Sequence, residues 1–119
     1  MRLSKEVTMR IEIHAKNIEV DESLRAHVER GLGQAVGRFD EFIRRVTVHL
    51  ANSNGVRGAR ENQCRICVSL KSSGDVEIAD SDIDLYTVTA RATGRVGLAV
   101  LSELWRLRES KVHPERACA

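Results

Sequence analysis

The chain has 119 residues, which is enough for one domain with a single hydrophobic core but hardly for two. Charged residues make up 30% of it and nearly cancel to a net charge of +2, so bulk charge does not indicate a nucleic-acid-binding protein, although a local basic face is compatible with it. The odd number of cysteines, the N-terminus without an apolar segment and the lack of a long apolar run predict a soluble, cytoplasmic protein that does not contact membranes.

The first predicted elements are a strand and a helix. Met9, Ile11 and Ile13 alternate with polar residues, which predicts a strand with one buried face. Asp21 is placed to cap a helix that ends near Asp40. The inward positions of this helix are Leu24, Val28, Leu32, Ala35, Val36 and Phe39.

Three glycines, Gly31, Gly33 and Gly37, lie inside this helix. Each costs about 1 kcal/mol relative to alanine in an exposed helix interior. The helix is therefore expected either to depend on tertiary packing or to have another element close to its backbone.

Three further strands are predicted from alternating apolar residues. Residues 43–51 form strand two, and the Asn- and Gly-rich residues 52–62 are expected to be a long loop. Residues 72–75 suit a turn between strands three and four. The inward positions are Val46, Val48 and Leu50, then Cys64, Ile66, Val68 and Leu70, then Val76 and Ile78.

Residues 84–109 carry the longest helical apolar period and are predicted to form one long helix. Its core stripe is Leu85, Val88, Ala92, Val96, Ala99, Val100, Leu104 and Leu107. The order β-α-β-β-β-α predicts an α+β fold: a four-stranded mixed sheet, its first two strands parallel, with two helices packed on one face. Residues 1–8 are expected to be a flexible leader, 9–110 the single domain, and 111–119 a tail.

Cys64 and Cys67 match the C-x-x-C pattern of redox pairs and half zinc sites. Positions three apart on a strand face opposite sides, so Cys64 is expected in the core and Cys67 on the surface. No second pair completes four ligands. An ordinary buried cysteine and a surface cysteine explain the pattern better than a metal site.

The spacing of Asp80, Asp82 and Asp84 matches the first positions of a calcium-binding loop. That loop needs Gly at its sixth position and Glu at its twelfth, where this chain has Leu85 and Arg91. Carboxylates that favour a helix N-terminus, with Asp84 as its cap, are the simpler explanation.

The sequence offers no catalytic constellation. His14 and His49 are expected on the outward face of adjacent strands, and two histidines without a further ligand make a poor metal site. No Ser-His-Asp order, phosphate-binding glycine loop or carboxylate pair is found. The chain is therefore predicted not to be an enzyme, and to need no cofactor, metal or small-molecule substrate.

Arginines on the two helices and in the long loop could form a phosphate-binding surface. With one Trp, one Tyr and two Phe, contacts to RNA are expected to involve backbone and shape rather than base stacking. The alternative is that these side chains only solvate the outer helix faces. The candidate residues are Arg25, Arg30, Arg38, Arg57, Arg60, Arg91, Arg95, Arg106 and Arg108.

A second stripe on the long helix lies opposite its core stripe: Gly94, Leu98, Leu101 and Trp105. Helix one has an outer strip of small residues, Ala26, Gly33 and Gly37. Together these predict a partly apolar surface for another protein chain. The alternative is that the helix turns or bends so that part of this stripe packs internally.

Three stretches resemble the ribosome hibernation-promoting factor family, also called ribosome-associated inhibitors or sigma-54 modulation proteins: residues 17–25, the VTVHL strand at 46–50, and the Asp84-Leu85-Tyr86 start of helix two. Members bind the small ribosomal subunit in the channel for messenger and transfer RNA and so silence translation in stationary phase or stress. Longer members add a C-terminal dimerisation domain. The resemblance spans roughly residues 9–110 and implies a short form whose partner is 16S rRNA.

The basic residues depart from the family pattern. Three places where the family carries lysine in helix one are occupied by Gly31, Gln34 and Gly37, and residues 98–104 contain no base. Arg25 and Arg95 fall where the family tends to be basic, and Arg30, Arg38 and Arg91 are neighbours of such places. Fewer phosphate contacts imply weaker binding at physiological salt.

Three hypotheses follow. The first is a non-enzymatic ribosome-associated factor that blocks the RNA channel of the small subunit. The second is a protein-interaction module or homodimer that keeps the fold but has lost ribosome binding. The third, ranked last because no lysine cluster stands at a helix N-terminus, is a general binder of double-stranded RNA.

Overall fold

The computed structural model describes residues 10–54, 60–72 and 74–112. Its elements follow the predicted order β-α-β-β-β-α, which confirms the α+β fold class. The strands are β1 (Arg10–Lys16), β2 (Ile43–Asn54), β3 (Arg60–Leu70) and β4 (Asp75–Asp82), and the helices are α1 (Glu22–Val36) and α2 (Leu85–Val112). A short 3-10 helix, Gly37–Phe42, joins α1 to β2.

The four strands form one mixed sheet in the order β1-β2-β3-β4. β1 runs parallel to β2, and the other neighbours are antiparallel, as predicted. The register places His14 beside His49 and Cys64 beside Asp80. Since side chains alternate along a strand, this register gives the sheet one apolar face and one polar face.

The core lies between the apolar face of the sheet and the two helices. Leu32 and Val36 of α1, and Val88 and Val96 of α2, are fully buried there. The predicted inward positions of β2 and β3 are all buried. Leu85, Ala99 and Leu104 pack at its margin. The predicted core stripe of helix one is therefore confirmed, and that of helix two is confirmed except for Leu107, which is not part of the core cluster.

Helix α1 begins at its predicted cap. A side-chain oxygen of Asp21 accepts the backbone N–H of Leu24 at 2.8 Å. The α-helix ends at Val36 rather than near Asp40, because the backbone tightens into the 3-10 helix from Gly37 onward. The predicted end of helix one was therefore four residues too late.

Two glycines allow the helices to approach closely. A Cβ on Gly31 would lie 3.1 Å from Oγ1 of Thr93, and one on Gly97 would lie 3.0 Å from the carbonyl oxygen of Ala35. By contrast, nothing lies within 4 Å of a Cβ built on Gly33. Close approach therefore explains Gly31 but not the other glycines of helix one.

The predicted loop at 52–62 is wrong in its bounds. β2 continues to Asn54 and β3 begins at Arg60, so only residues 55–59 separate them, and these lie outside the described residues. The side-chain amide of Asn52 donates to Oδ1 of Asn62 at 2.8 Å, which helps to hold the strands together at this end. Cross-strand pairing overrides the local preference of Asn for turns.

Helix α2 starts at Leu85, and the backbone N–H of Val88 donates to the carbonyl of Asp84 at 3.0 Å. It ends at Val112, three residues later than predicted. Several predicted features lie outside the described residues: the leader at 1–8, Met9, Arg57 and the tail from 113 onward. In the portion of the chain that is described, neither helix is both long and apolar enough to cross a bilayer.

Candidate nucleic-acid interface

A groove of about 390 Å³ runs between α1 and α2 on the side away from the sheet. Gly31 belongs to its lining, and the helices approach closely there because a Cβ on Gly31 would lie only 3.1 Å from Oγ1 of Thr93. We call it the interhelical groove. Its lining residues are His27, Arg30, Gly31, Gln34, Ala35, Ala90, Thr93 and Gly94.

The polar groups of the interhelical groove favour anions. Arg30 is exposed, and none of the described residues in the lining is acidic. Nε2 of His27 lies 3.3 Å from the backbone carbonyl oxygen of Tyr86. The centres of the His27 and Tyr86 rings are 4.7 Å apart. The hydroxyl of Thr93 donates to the carbonyl of Ala90 at 2.9 Å. A guanidinium, an imidazole and the Gln34 amide can together hold phosphate oxygens by charge and hydrogen bonds.

Two of the predicted RNA-binding arginines are bound to carboxylates of β4. Nε of Arg91 donates to Asp80 at 2.7 Å, and its Nη2 lies 3.2 Å from Asp82 and 3.0 Å from the carbonyl oxygen of Ser81. Nη1 of Arg95 lies 3.4 Å from the same carboxylate of Asp80. We call this set the β4 carboxylate cluster. It neutralises two arginines that the sequence pattern assigns to phosphate binding.

Hydrogen bonds within the β4 carboxylate cluster shift the pKa values of Asp80, Asp82 and Arg91. The hydrogen bond from Arg91 lowers the pKa of Asp80. The pKa of Asp82 is lowered first by the backbone N–H of Asp84 and then by Arg91. The pKa of Arg91 is raised in turn, chiefly by Asp80. All these groups are therefore charged at neutral pH.

Other predicted arginines are paired along their own element. Arg25 lies 3.7 Å from the carboxylate of Glu29, and Arg106 lies 2.6 Å from that of Glu103. In each pair the two residues lie about one helical turn apart, and the arginine side chain is exposed. An exposed ion pair of this kind contributes little to stability. Arg60 donates to the side chain of Asn52 at the far end of the sheet hairpin.

Two arginines lie over aromatic rings. The guanidinium of Arg38 is 4.8 Å from the ring centre of Phe39, and that of Arg108 is 5.2 Å from the ring of Trp105. These contacts place both side chains beyond the end of α1, toward the last turns of α2. The predicted arginines are thus spread over several places, and of those that the structure describes, Arg30 alone lines the interhelical groove.

The cysteines and the sheet histidines have the predicted positions. Cys64 is buried, which raises the pKa of its thiol to about 12, whereas Cys67 is only partly buried. The rings of His14 and His49 stack with their centres 5.3 Å apart. Burial lowers the pKa of His49, with further contributions from Arg65 and His14. Within residues 10–54, 60–72 and 74–112, no three His, Cys, Asp or Glu side chains are grouped to hold a metal ion.

The predicted apolar stripe of α2 is mostly exposed. Leu98 is 70% exposed and Trp105 is 54% exposed, while Leu101 is partly buried. Gly94 instead lines the interhelical groove. Of the outer strip of helix one, Ala26 is exposed, whereas Gly33 and Gly37 are partly buried.

Sequence reasoning missed His27, Gln34 and Thr93 as groove residues. A signal for His27 and Gln34 was present in α1, where positions 27, 30 or 31, and 34 recur at helical spacing on one face. Sequence reasoning also assigned Asp80 and Asp82 only to the start of α2. Because positions two apart on a strand share a face, both could have been placed under α2, within reach of Arg91.

Comparisons with known proteins agree with this fold. A family model described as sigma 54 modulation protein / S30EA ribosomal protein matches residues 11–97. Over 82 residues the chain is 24% identical to the chloroplastic ribosome-binding factor PSRP1 of Spinacia oleracea; the match covers 67% of this chain but only 27% of that relative.

Two solved structures share the fold. The N-terminal domain of Protein Y from Thermus thermophilus has a TM-score of 0.58 and 24% identity, covering 76% of this chain and 93% of that one. A ribosomal subunit interface protein from Coxiella burnetii has a TM-score of 0.67 and 12% identity, covering 81% of this chain and 99% of that one. Because the family model matches most of its length, the chain belongs to the sigma 54 modulation protein / S30EA ribosomal protein family, as the sequence resemblance predicts.

Proposed function

We propose that this protein is a non-enzymatic ribosome-associated factor. It binds 16S rRNA in the channel of the small subunit where messenger and transfer RNA sit, and it inhibits translation in stationary phase or under stress. The observation that carries this proposal is the acid-free interhelical groove with Arg30 and His27, in a chain of this family. The similarity to a ribosome-binding factor of Spinacia oleracea supports the same partner.

The groove is suited to the RNA backbone rather than to bases. Arg30 offers a planar pair of donors that matches a phosphate, and Gln34 and His27 can contact ribose or phosphate oxygens. The exposed Arg25 lies on the same helix, one and a half turns before Arg30. Because Arg91 and Arg95 are engaged by β4, we expect fewer phosphate contacts and hence a shallow dependence on salt.

Co-sedimentation with purified small ribosomal subunits over a salt series tests the proposal. Arg30→Glu is the informative variant, because it reverses the charge of the groove without touching the core. Arg10→Glu is its matched control, because Arg10 is also exposed but lies on the strand β1, on the face away from the helices.

We expect saturable binding that weakens with salt, that falls at least tenfold in Arg30→Glu, and that is unchanged in Arg10→Glu. Protein that stays in the supernatant even at low salt would contradict ribosome binding. Equal losses in both variants would contradict the groove as the RNA site and leave only general electrostatic attraction.

A second candidate function is a protein-interaction module or homodimer that keeps the fold without ribosome binding. The exposure of Leu98 and Trp105 on one helix favours it, because large apolar side chains are enriched at protein interfaces. Sedimentation velocity over a wide concentration range tests the homodimer. A protein that remains monomeric throughout, with an unchanged Trp105 emission spectrum, would exclude it.

A further inference from the structure

A second groove, of about 460 Å³, lies at the C-terminal half of α2. We call it the apolar groove. Its apolar lining consists of Phe39, Phe42, Leu101, Leu104, Trp105 and Leu107. Phe42 is 42% exposed and Trp105 is 54% exposed, so the described residues leave the groove open.

The groove exists because the two helices end at different points. α1 stops at Val36 and the chain turns into the 3-10 helix, while α2 continues to Val112. Within residues 10–54, 60–72 and 74–112, the last turns of α2 therefore have no helical neighbour, and Phe39 and Phe42 form the opposite wall. The stretch of α2 from Leu101 to Arg108 is about 10 Å long, which is enough for two turns of another helix to lie against it.

Positive charges lie in and beside the apolar groove. Arg108 lines it and lies over Trp105, and Arg38 lies over Phe39. On the sheet side, Nη2 of Arg44 lies 3.5 Å from the carbonyl oxygen of Lys71.

Lys71 belongs to this rim because its backbone N–H donates to the carbonyl oxygen of Phe42 at 3.0 Å. The 3-10 helix contributes two carboxylates, Asp40 and Glu41. The described residues named for this rim thus include four cations and two acids.

We propose that the apolar groove is a docking site for an acidic amphipathic helix of another protein. Leucine-type side chains of that helix pack against Leu101, Leu104 and Trp105, and its flanking carboxylates pair with Arg108 and Arg38. An apolar groove that seats a helix by its i, i+3 and i+4 positions is a common mode of peptide recognition. Charge complementarity at the rim selects the acidic partner.

Two other occupants fit less well. A second copy of this chain related by two-fold symmetry would bring the same basic rim against itself. RNA bases would need the faces of Phe39 and Trp105, and each of these already carries an arginine. Aliphatic Leu104 and Leu107 in the lining also offer a base no hydrogen bond.

The test uses the full chain and three fluorescein-labelled helical peptides of 16 residues. The first has leucines at i, i+3, i+4 and i+7 with glutamates around them. The second has lysines in place of the glutamates, and the third has serines in place of the leucines. Fluorescence anisotropy measures binding, and the emission of Trp105, the single Trp of the chain, locates it.

We expect saturable binding of the acidic peptide with a blue shift of Trp105, and at least tenfold weaker binding of the other two peptides. Arg108→Glu should weaken the acidic peptide about tenfold, Leu101→Ser should weaken it by a similar factor, and Arg10→Glu should not change it. Circular dichroism and a urea midpoint equal to wild type establish that each variant is folded.

Four results would overturn the proposal. The first is no saturation by the acidic peptide at millimolar concentration, and the second is equal binding of the acidic and basic peptides. The third is a concentration-dependent dimer that buries Trp105 without peptide, which would assign the groove to a second copy. The fourth is displacement of the peptide by a single-stranded RNA oligomer that itself shifts Trp105 emission, which would assign the groove to RNA.

Discussion

The guanidinium of Arg91, on α2, donates a hydrogen bond of 2.7 Å to the carboxylate of Asp80, on the edge strand β4. Arg95 lies 3.4 Å from the same carboxylate, and Asp82 contacts Arg91 from the other side. The basic residues of helix two that the sequence assigns to RNA are therefore partly neutralised within the fold. A phosphate that approaches α2 competes with these carboxylates.

Removing the carboxylates is expected to release the arginines. In the variant Asp80→Asn with Asp82→Asn, Arg91 and Arg95 lose their anionic partners and can contact phosphate. If the proposed ribosome binding holds, affinity for small subunits should rise, and the slope of log affinity against log salt should steepen by about one for each arginine released.

Glu77→Gln is the matched control for this experiment. It frees Arg65, which lies 3.4 Å from Glu77, but it does so on the polar face of the sheet. Its affinity should stay at the wild-type value. An unchanged salt slope in the Asp80 and Asp82 double variant would show that α2 does not face the RNA at these positions.

The ion pair between Asp80 and Arg91 predicts a pH dependence of stability. Because the folded state lowers the pKa of Asp80, the pair stabilises the fold above the unfolded-state pKa, about pH 4, and this stabilisation is lost as pH falls through the lower folded-state pKa. The urea midpoint of wild type should therefore exceed that of Asp80→Asn at neutral pH and approach it in strong acid. A difference that grows on acidification would refute this assignment.

The close helix contact at Gly97 predicts an unfavourable alanine substitution. A Cβ there meets the backbone carbonyl of Ala35 at 3.0 Å, and backbone cannot move aside as a side chain can. At Gly94, in the same helix, nothing lies within 4 Å, so alanine gains helix propensity of about 1 kcal/mol. Gly97→Ala should be less stable than Gly94→Ala by about 1–3 kcal/mol in urea unfolding. Equal stabilities would mean that the helices can separate without cost.

Truncation of the core should be far more damaging than truncation of the surface stripe. Leu32 is fully buried, so Leu32→Ala is expected to reduce the free energy of unfolding by about 2–5 kcal/mol. Leu98 is 70% exposed, so Leu98→Ala should change it by less than about 0.5 kcal/mol. A large loss at Leu98 would show that the stripe is buried in solution, as in a homodimer.

The periodicity of the sequence was enough to predict the element order and most of the core. Val46, Val48 and Leu50 alternate, while Val88, Ala92 and Val96 recur every four residues, and each period specifies one element type. The extension of β2 and β3 was not predictable from these local signals. Asn52 and Asn62 favour turns by themselves, and only their pairing across the hairpin makes them strand residues.

The candidate sites were predictable only in part. The sequence identified candidate arginines but not their partners. The angle at which α2 crosses the sheet decides whether the side chain of Arg95 contacts Asp80 or is solvated by water. The interhelical groove depends on helix spacing, which the sequence indicated only through the unexplained Gly31. Helical period placed Leu98 and Trp105 opposite the core stripe but left open whether they pack internally, and the structure exposes both.

The absence of a side chain at Gly31 and Gly97 allows the close spacing of the two helices beside the interhelical groove. A Cβ at either position would crowd the opposite helix, and the shared core beneath the helices resists their separation. The two helices therefore hold the interhelical groove at a nearly constant width. A flexible RNA strand must therefore change its own conformation to fit the interhelical groove. A ligand that already has the matching width loses less conformational entropy on binding than a flexible strand does.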